Sequence, residues 1–283
     1  LLSLIITLFI CGPFFPDLIV SFSALFFLNN FFKNNNFFYF NNLPFILFLL
    51  FIMIAIISSL ESENISLSIK SSLPYFRIGF FSCFIWYLID KNKNILKYFY
   101  FALIFCFSAL VIDGYFQFFL GYNIVGFPAI DSRISSFFED ELIMGSYLSR
   151  LFPLLFALFL LKKKNKFEIY FIGILFVLVD VLIYISSERT AFFFLYLSTV
   201  FIIILIKEYQ KFRLITLIFS FVLIGILTLS SDKLAERMIK GPAKSMGLVK
   251  DAQKKNIFTP SHDSLIRTAM NMFIDKPILG HGP

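Results

Sequence analysis

The residues with the most chemistry in this 283-residue chain are arginines in three polar stretches. The first runs from Arg133 to Pro153: it opens as a loop, passes the acids Glu139, Asp140 and Glu141, and enters an apolar run that still contains Arg150. The second is Ser186-Ser187-Glu188-Arg189-Thr190-Ala191-Phe192, and the third runs from Arg267 to Pro283. Arginine stays charged at any physiological pH and offers a planar fork of donors that matches phosphate or carboxylate oxygens two at a time. Such groups hold an anion, and they neutralise negative charge that develops on a leaving group. Inside hydrocarbon an arginine costs roughly 2.5–3.5 kcal/mol on insertion scales, so Arg150 calls for a partner or a ligand. Asp180, isolated in another apolar run, is the matching acid.

Each residue also has a plainer account. Arg133 would simply be solvated in its loop, Arg189 beside Glu188 would be ordinary helix-end charge, and Arg150 with Asp180 would be a structural pair rather than a proton relay. The functional account gains from convergence, because arginines from separate elements reach one face. Other chemistries lack their parts: there is no Asp-x-Asp, no His/Cys cluster and no Gly-rich phosphate loop for a metal-dependent or nucleotide-sugar mechanism. The cysteines, Cys11, Cys83 and Cys106, lie in or beside apolar segments and give no disulfide framework. His262 and His281 could each act as a base, but a lone histidine is more often a polar surface residue.

The elements that position these groups are apolar. Hydrophobic residues make up 59% of the chain and charged ones 15%, mean hydropathy is +0.84, and the apolar residues come in long runs. An all-α, polytopic transmembrane helical bundle follows. The candidate spans are roughly 1–12, 17–32, 43–60, 74–90, 95–112, 142–161, 167–186, 190–206 and 214–230, nine in all, against the roughly 20 residues that a 30 Å hydrocarbon core takes. Residues 1–230 form the bundle and 231–283 an external loop with short helices, one of them over His262–Phe273. The chain opens at Leu1 without Met and stops at Pro283 inside a Gly/Pro motif, as expected of a fragment.

Lys33, then Lys91, Lys93 and Lys97, then Lys162, Lys163, Lys164 and Lys166, then Lys207, Lys211 and Arg213 fall in alternate loops, which are therefore cytoplasmic. The formal charge of +7 reflects this topology rather than nucleic-acid binding. Arg133, Arg189 and Arg267 then share the external face. Arg150 and Asp180 lie about 13 and 10 Å inside their spans from that face, at 1.5 Å per residue, and are expected to pair.

The order R-x-S-S-F-F-E-D-E-x-x-x-G-S-Y-L-S-R-L-x-P at Arg133 to Pro153, S-S-E-R-T-A-F at Ser186 to Phe192, and R-T-A-M-N-M-F-x-D-K-P-I-L-G-H-G-P at Arg267 to Pro283 resembles the O-antigen ligase and O-antigen polymerase superfamily. The resemblance implies a GT-C-like glycosyltransferase of the bacterial inner membrane that works at the periplasmic face without a metal or other cofactor. It implies a donor glycan on undecaprenyl diphosphate, and as acceptor either lipid A–core for a ligase or another lipid-linked repeat unit for a polymerase. By motif position, Arg133 and Arg189 match arginines at the donor diphosphate, and Arg267 opens the periplasmic-loop motif. The family's catalytic histidine belongs to a motif beyond Pro283, so neither His262 nor His281 inherits that role. The alternative class is a transporter, for example a lipid-linked oligosaccharide flippase with Arg150 and Asp180 as a coupling pair; no inverted repeat of broken helices is visible in its favour.

The lysine alternation fixes an orientation that labelling can test. A cysteine placed at Ser245 should react with a membrane-impermeant maleimide in intact cells, and one at Asn165 only after permeabilisation. Reaction at Asn165 in intact cells would invert the topology and dissolve the shared external face.

Overall fold

A computed structural model of the chain describes residues 14–34, 37–131, 133–161, 165–245 and 260–282. The expected segment 1–12 with Cys11, the lysines at 162–164 and Pro283 lie outside the described residues. Among the described residues the chain is helical, without a β-strand. Its elements are α1 (Phe14–Asn34), α2 (Leu43–Leu60), α3 (Ile65–Ser72), α4 (Phe76–Lys91), α5 (Asn94–Leu120), α6 (Met144–Leu161), α7 (Lys166–Ile185), α8 (Arg189–Leu205), α9 (Gln210–Ser230), α10 (Asp232–Ala235), α11 (Gly241–Ser245) and α12 (Pro260–Asp275). One turn of π-helix, Glu236–Lys240, joins α10 to α11. Asparagine begins several of them: the side chains of Asn42, Asn64 and Asn165 accept from the N–H groups of Phe45, Leu67 and Glu168, satisfying donors that a helix start leaves open.

Six helical stretches are long and apolar enough to cross a membrane: Leu43–Leu60, Ile65–Lys91, Asn94–Leu120, Met144–Leu161, Lys166–Ile185 and Lys207–Ser230. Two of the expected spans correspond to shorter apolar helices, Phe14–Asn30 and Arg189–Leu205. At 1.5 Å per residue the 17 residues of Arg189–Leu205 reach about 25 Å, short of a typical 30 Å core, whereas the helix that begins at Phe14 continues to Asn34.

The chain divides into two compact units, Leu1–Gly12 with Leu96–Lys255, and Pro13–Ile95 with Asn256–Pro283. In the first, α5 buries Leu103, Phe107 and Leu110, and α6 buries Leu148, Phe152, Leu155, Phe156 and Phe159, both at helical spacing. Helix α7 is the central element. Its segment Val179–Ile185 is buried on every side, and Phe176 packs its ring against Phe152 and Phe156 at 4.8 and 5.7 Å between centroids. Tyr100 and Tyr115 of α5 donate to α7 at Glu168 Oε1 and the Leu178 carbonyl, at 2.9 and 3.0 Å.

The second unit is held by a small aromatic core. Phe27, Phe45, Cys83 and Tyr87 are buried together, Asn30 donates to the Tyr87 hydroxyl at 3.0 Å, and Arg77 pairs with Asp17 at 2.8 Å. Its C-terminal turn docks on the α2–α3 connection, where Lys276 donates to the Glu61 carbonyl at 3.0 Å and Ser58 donates to the Leu279 carbonyl. Gly282 is required there. Its φ is +87°, and a Cβ would fall 2.6 Å from Ser62 Cβ.

Asp180 does not pair with Arg150. It takes both Nη groups of Arg213, at 2.9 and 3.0 Å, with both side chains fully buried. Thr199 of α8 accepts from Arg213 at 2.7 Å, Ser220 of α9 donates to Asp180 at 2.9 Å, and the guanidinium lies 4.5 Å over the Phe152 ring. The expected pair failed on azimuth rather than depth. At 100° per residue Arg150 points about 160° away from Phe152, and it is exposed on the far side of α6. Arg213, expected among the cytoplasmic loop charges, instead lies inside α9 on one stripe with Thr216, Ser220 and Ile224.

Breaking a buried pair costs about 3–5 kcal/mol because a charge is left without its partner. Asp180→Ala and Arg213→Ala should each lower abundance and thermal stability in detergent by that order. The double variant Asp180→Leu/Arg213→Met should regain most of it, and Arg150→Ala should change little. A double variant no more stable than either single would show that the two charges are not coupled.

Candidate functional site

The site is built from the end of α5 upward. This helix has 27 residues, about 40 Å by its rise, and so overruns a hydrocarbon core by two turns. Those turns carry Asp113 and Gln117, both completely buried. Asp113 accepts from the Ile124 N–H at 2.8 Å and from the Ser136 hydroxyl at 2.5 Å. Gln117 Oε1 accepts from the N–H groups of Ser135 and Ser136 at 3.0 and 2.7 Å, while its Nε2 donates to the Phe127 carbonyl at 3.2 Å. Asn123 completes the set, accepting from Gly126 and Phe127 and donating to the Ser136 carbonyl at 2.9 Å. The loop after α5 has no regular ladder of its own, so these side chains satisfy backbone groups that burial would otherwise leave unpaired.

This scaffold presents Arg133. Ile130 and Arg133 exchange backbone hydrogen bonds at 2.8 and 3.2 Å, closing a tight turn, and Asp131 inside it has φ +50°. The Arg133 side chain is half-buried, and its Nε has no hydrogen-bond partner among the described residues. Arg189 is placed by a different device. The Glu188 carboxylate reaches the start of α6, accepting from the N–H groups of Gly145 and Ser146 at 2.5 and 2.9 Å and from the Ser146 hydroxyl at 2.7 Å. An acid there suits the open donors and the positive end of the helix dipole. Glycine at 145 lets the carboxylate approach closely: a Cβ there would fall 2.6 Å from Ser186 Oγ and 2.9 Å from Glu188 Oε1, and these side chains would have to shift. The N-terminus of α8, and Arg189 as its first residue, is thereby fixed to the N-terminus of α6.

A third arginine joins them. Arg237, on the π-turn after α10, donates from Nη1 to the Asp131 carbonyl at 2.7 Å. Burial lowers the pKa of its guanidinium; the nearby Arg133 and Arg189 charges push the same way, and Asp131 opposes them. A cavity of about 990 Å³ opens here, its charged wall made of Asp131, Asp232 and Glu236 together with Lys233, Arg237 and Lys240, and Gln117 and Ser187 line it too. Asp131 and Ser187, each two residues ahead of a site arginine, both have positive φ, +50° and +62°. Non-glycine residues in that region cost of order 1–3 kcal/mol and gather at functional sites.

Of the residues singled out by sequence, Arg133 and Arg189 each lie two positions beyond a residue of the cavity wall, Asp131 and Ser187, and their charges act on Arg237. Arg267 belongs to the second unit, on α12, exposed and paired with Asp263 at 2.7 Å. His281 lies in that unit too, with Nε2 3.1 Å from an Asp275 carboxylate oxygen, while His262 is exposed in the first turn of α12. The expected helix over His262–Phe273 is present as Pro260–Asp275. Arg237 was hidden among Lys233, Glu236, Lys240 and Lys244, in a stretch whose composition reads as solvated charge. Asp113 and Gln117 read as the end of a span, although their spacing of four, on one helix face, was a signal.

Gln117→Leu removes the acceptor of two buried N–H groups, at about 1–3 kcal/mol for each donor left unpaired. Limited proteolysis should then cut within residues 121–143 at protease levels that spare the parent protein, with helical content retained by circular dichroism. Unchanged cleavage would show that the loop is ordered by something else. Compared with protein-family models, curated proteins and solved structures, this chain matches none of them.

Proposed function

We propose that the chain belongs to an integral-membrane glycosyltransferase that moves a glycan from undecaprenyl diphosphate to lipid A–core or to another lipid-linked repeat unit. In this reading the helices form a nine-span, GT-C-like bundle in the bacterial inner membrane, and the arginine cluster faces the periplasm. The observation that carries it is a cavity lined by Arg237 and by Asp131 and Ser187, the residues two positions ahead of Arg133 and Arg189, in a chain of long apolar helices. The resemblance of the two motifs that hold Arg133 and Arg189 adds the nature of the anion. During transfer, an acceptor hydroxyl oxygen bonds to the anomeric carbon and gives up its proton to a base. The bond from that carbon to the diphosphate breaks, and its electron pair passes to the phosphate oxygen. Fixed guanidinium groups match the charge that develops there, in a site partly screened from water.

The transporter alternative drew on Arg150 and Asp180 as a coupling pair. Asp180 is instead closed onto Arg213 and Ser220, and Arg150 is exposed.

Arg133→Ala and Arg189→Ala should each reduce transfer from a lipid diphosphate glycan by about 10²–10³-fold, as when a single oxyanion donor is lost. Lysine at either position should restore only part of it, because it keeps the charge and loses the fork. The assay uses the full-length membrane protein at wild-type abundance, and EDTA should leave the rate unchanged. Near wild-type transfer by both alanine variants would overturn the proposal.

A further inference from the structure

Helix α12 belongs to the second unit, yet among its described side chains only Asp263 is not exposed. Its residues nevertheless divide cleanly by polarity. At 100° per residue, Met272, Leu265, Ala269, Phe273, Ile266 and Met270 fall within an arc of about 160°, where His262 in the first turn is the one polar residue. Asp263, Ser264, Arg267, Thr268, Asn271 and Asp275 take the opposite arc, with Ile274 the one apolar residue among them, and Asp263 pairs with Arg267 along that face. Leu265 and Phe273 are 69% and 61% exposed. A continuous apolar surface of this kind is one that something covers.

What covers it follows from where the helix ends. Directly after Asp275, Lys276 donates to the Glu61 carbonyl and Ser58 donates to the Leu279 carbonyl, so this turn is held at the last turn of α2. α2 is long and apolar enough to cross a membrane, and its Ile57 and Leu60 stay exposed right up to that end. Hydrocarbon therefore reaches this level, and headgroups begin just beyond it. Ile278, on the anchoring turn itself, is 89% exposed and adds a further apolar side chain there. The lysine alternation agrees, since the connection after α2 lies between the Lys33 and Lys91–Lys97 loops and so shares the external face with residues 231–283. We propose that α12 is an interfacial helix, lying in the plane of the bilayer with its apolar arc among the acyl chains and its polar arc in the headgroups. The partner is a phospholipid surface, held by apolar burial and not by lipid charge, because the polar arc sets one arginine against two aspartates. The proposal needs α2 to cross a bilayer, and it does not depend on the transferase reading.

Depth measured by spin-label relaxation tests this on the full chain in nanodiscs. Cys11, Cys83 and Cys106 are replaced by alanine, and one cysteine at a time is introduced for labelling. Labels at Ala269 and Phe273 should be relaxed by oxygen far more than by an aqueous nickel chelate, at about 5–10 Å below the lipid phosphates. Labels at Ser264 and Asn271, on the opposite arc, should show the reverse preference. The same depths should be found in phosphatidylcholine alone and with phosphatidylglycerol added. If the cysteine-free protein folds poorly, Phe273→Trp in a Trp86→Phe background keeps the native cysteines. Its emission should be quenched by brominated acyl chains, and that of Asn271→Trp in the same background should not. Nickel access at all four positions, or no quenching at Phe273→Trp, would overturn the proposal by leaving the helix in water. Shielding of Ala269 and Phe273 from both oxygen and nickel would overturn it in favour of a protein cover, from a second copy or another segment of the chain. Depth gained only with phosphatidylglycerol would overturn attachment by apolar burial.

Discussion

The ion pair between Asp180 and Arg213 is the constraint around which the first unit is arranged. Two charges with no exposed surface must satisfy one another almost completely, because the cost of taking them out of water is several kcal/mol per ion. That requirement fixes the rotation of α9 about its axis, since both Nη groups must meet both carboxylate oxygens. It fixes α8 through Thr199 and α6 through the Phe152 ring beneath the guanidinium. A core of phenylalanine and leucine alone tolerates sliding and rotation between helices, whereas a bidentate pair with a hydroxyl on each side does not. The pair is therefore best understood as specifying one arrangement of the bundle rather than as a source of net stability.

That arrangement is transmitted to the site by the helices it locks. α7 carries Asp180 near its C-terminal end and continues into the Ser186-Ser187-Glu188 turn, so the rotation that seats Asp180 also aims Glu188 at the start of α6. α9 carries Arg213 near its N-terminal end and leads into the segment that bears Arg237. Buried polar contacts at one level of the bundle thus set the positions of two arginines several turns away. The third, Arg133, depends on α5, whose Asp113 and Gln117 bind the following loop by its backbone.

Gathering these arginines has a cost, and the structure shows where it falls. Asp131 and Ser187 hold left-handed backbone conformations, and Arg133 Nε is buried without a partner among the described residues. A fold under no demand except stability would relax such features, because a half-satisfied polar group is worse than an apolar one. Their presence together beside one cavity is what separates this cluster from solvated surface charge. On the second unit, Arg267 shows the contrast: exposed and paired with an acid one turn away, it has the ordinary arrangement of a helix surface.

Helical class, the approximate position of each apolar segment and the candidacy of Arg133 and Arg189 were legible in the sequence. Hydropathy is a local, one-dimensional property, and a run of 18 or more apolar residues can satisfy its backbone in hydrocarbon in few ways other than a helix. Residue type alone also marks arginine as an anion ligand. The partner of Asp180 was not legible. Depth along a helix can be counted, but azimuth is settled by packing, and 160° of rotation separates Arg150 from the buried face. Nor could the sequence assign Arg237, which meets Asp131 across 106 positions. Contacts of that span exist only once several helices have docked, and composition cannot distinguish a guanidinium brought to a cavity from one left in water. The sequence therefore determined which groups could bind an anion, and the tertiary structure alone decided which of them stand together.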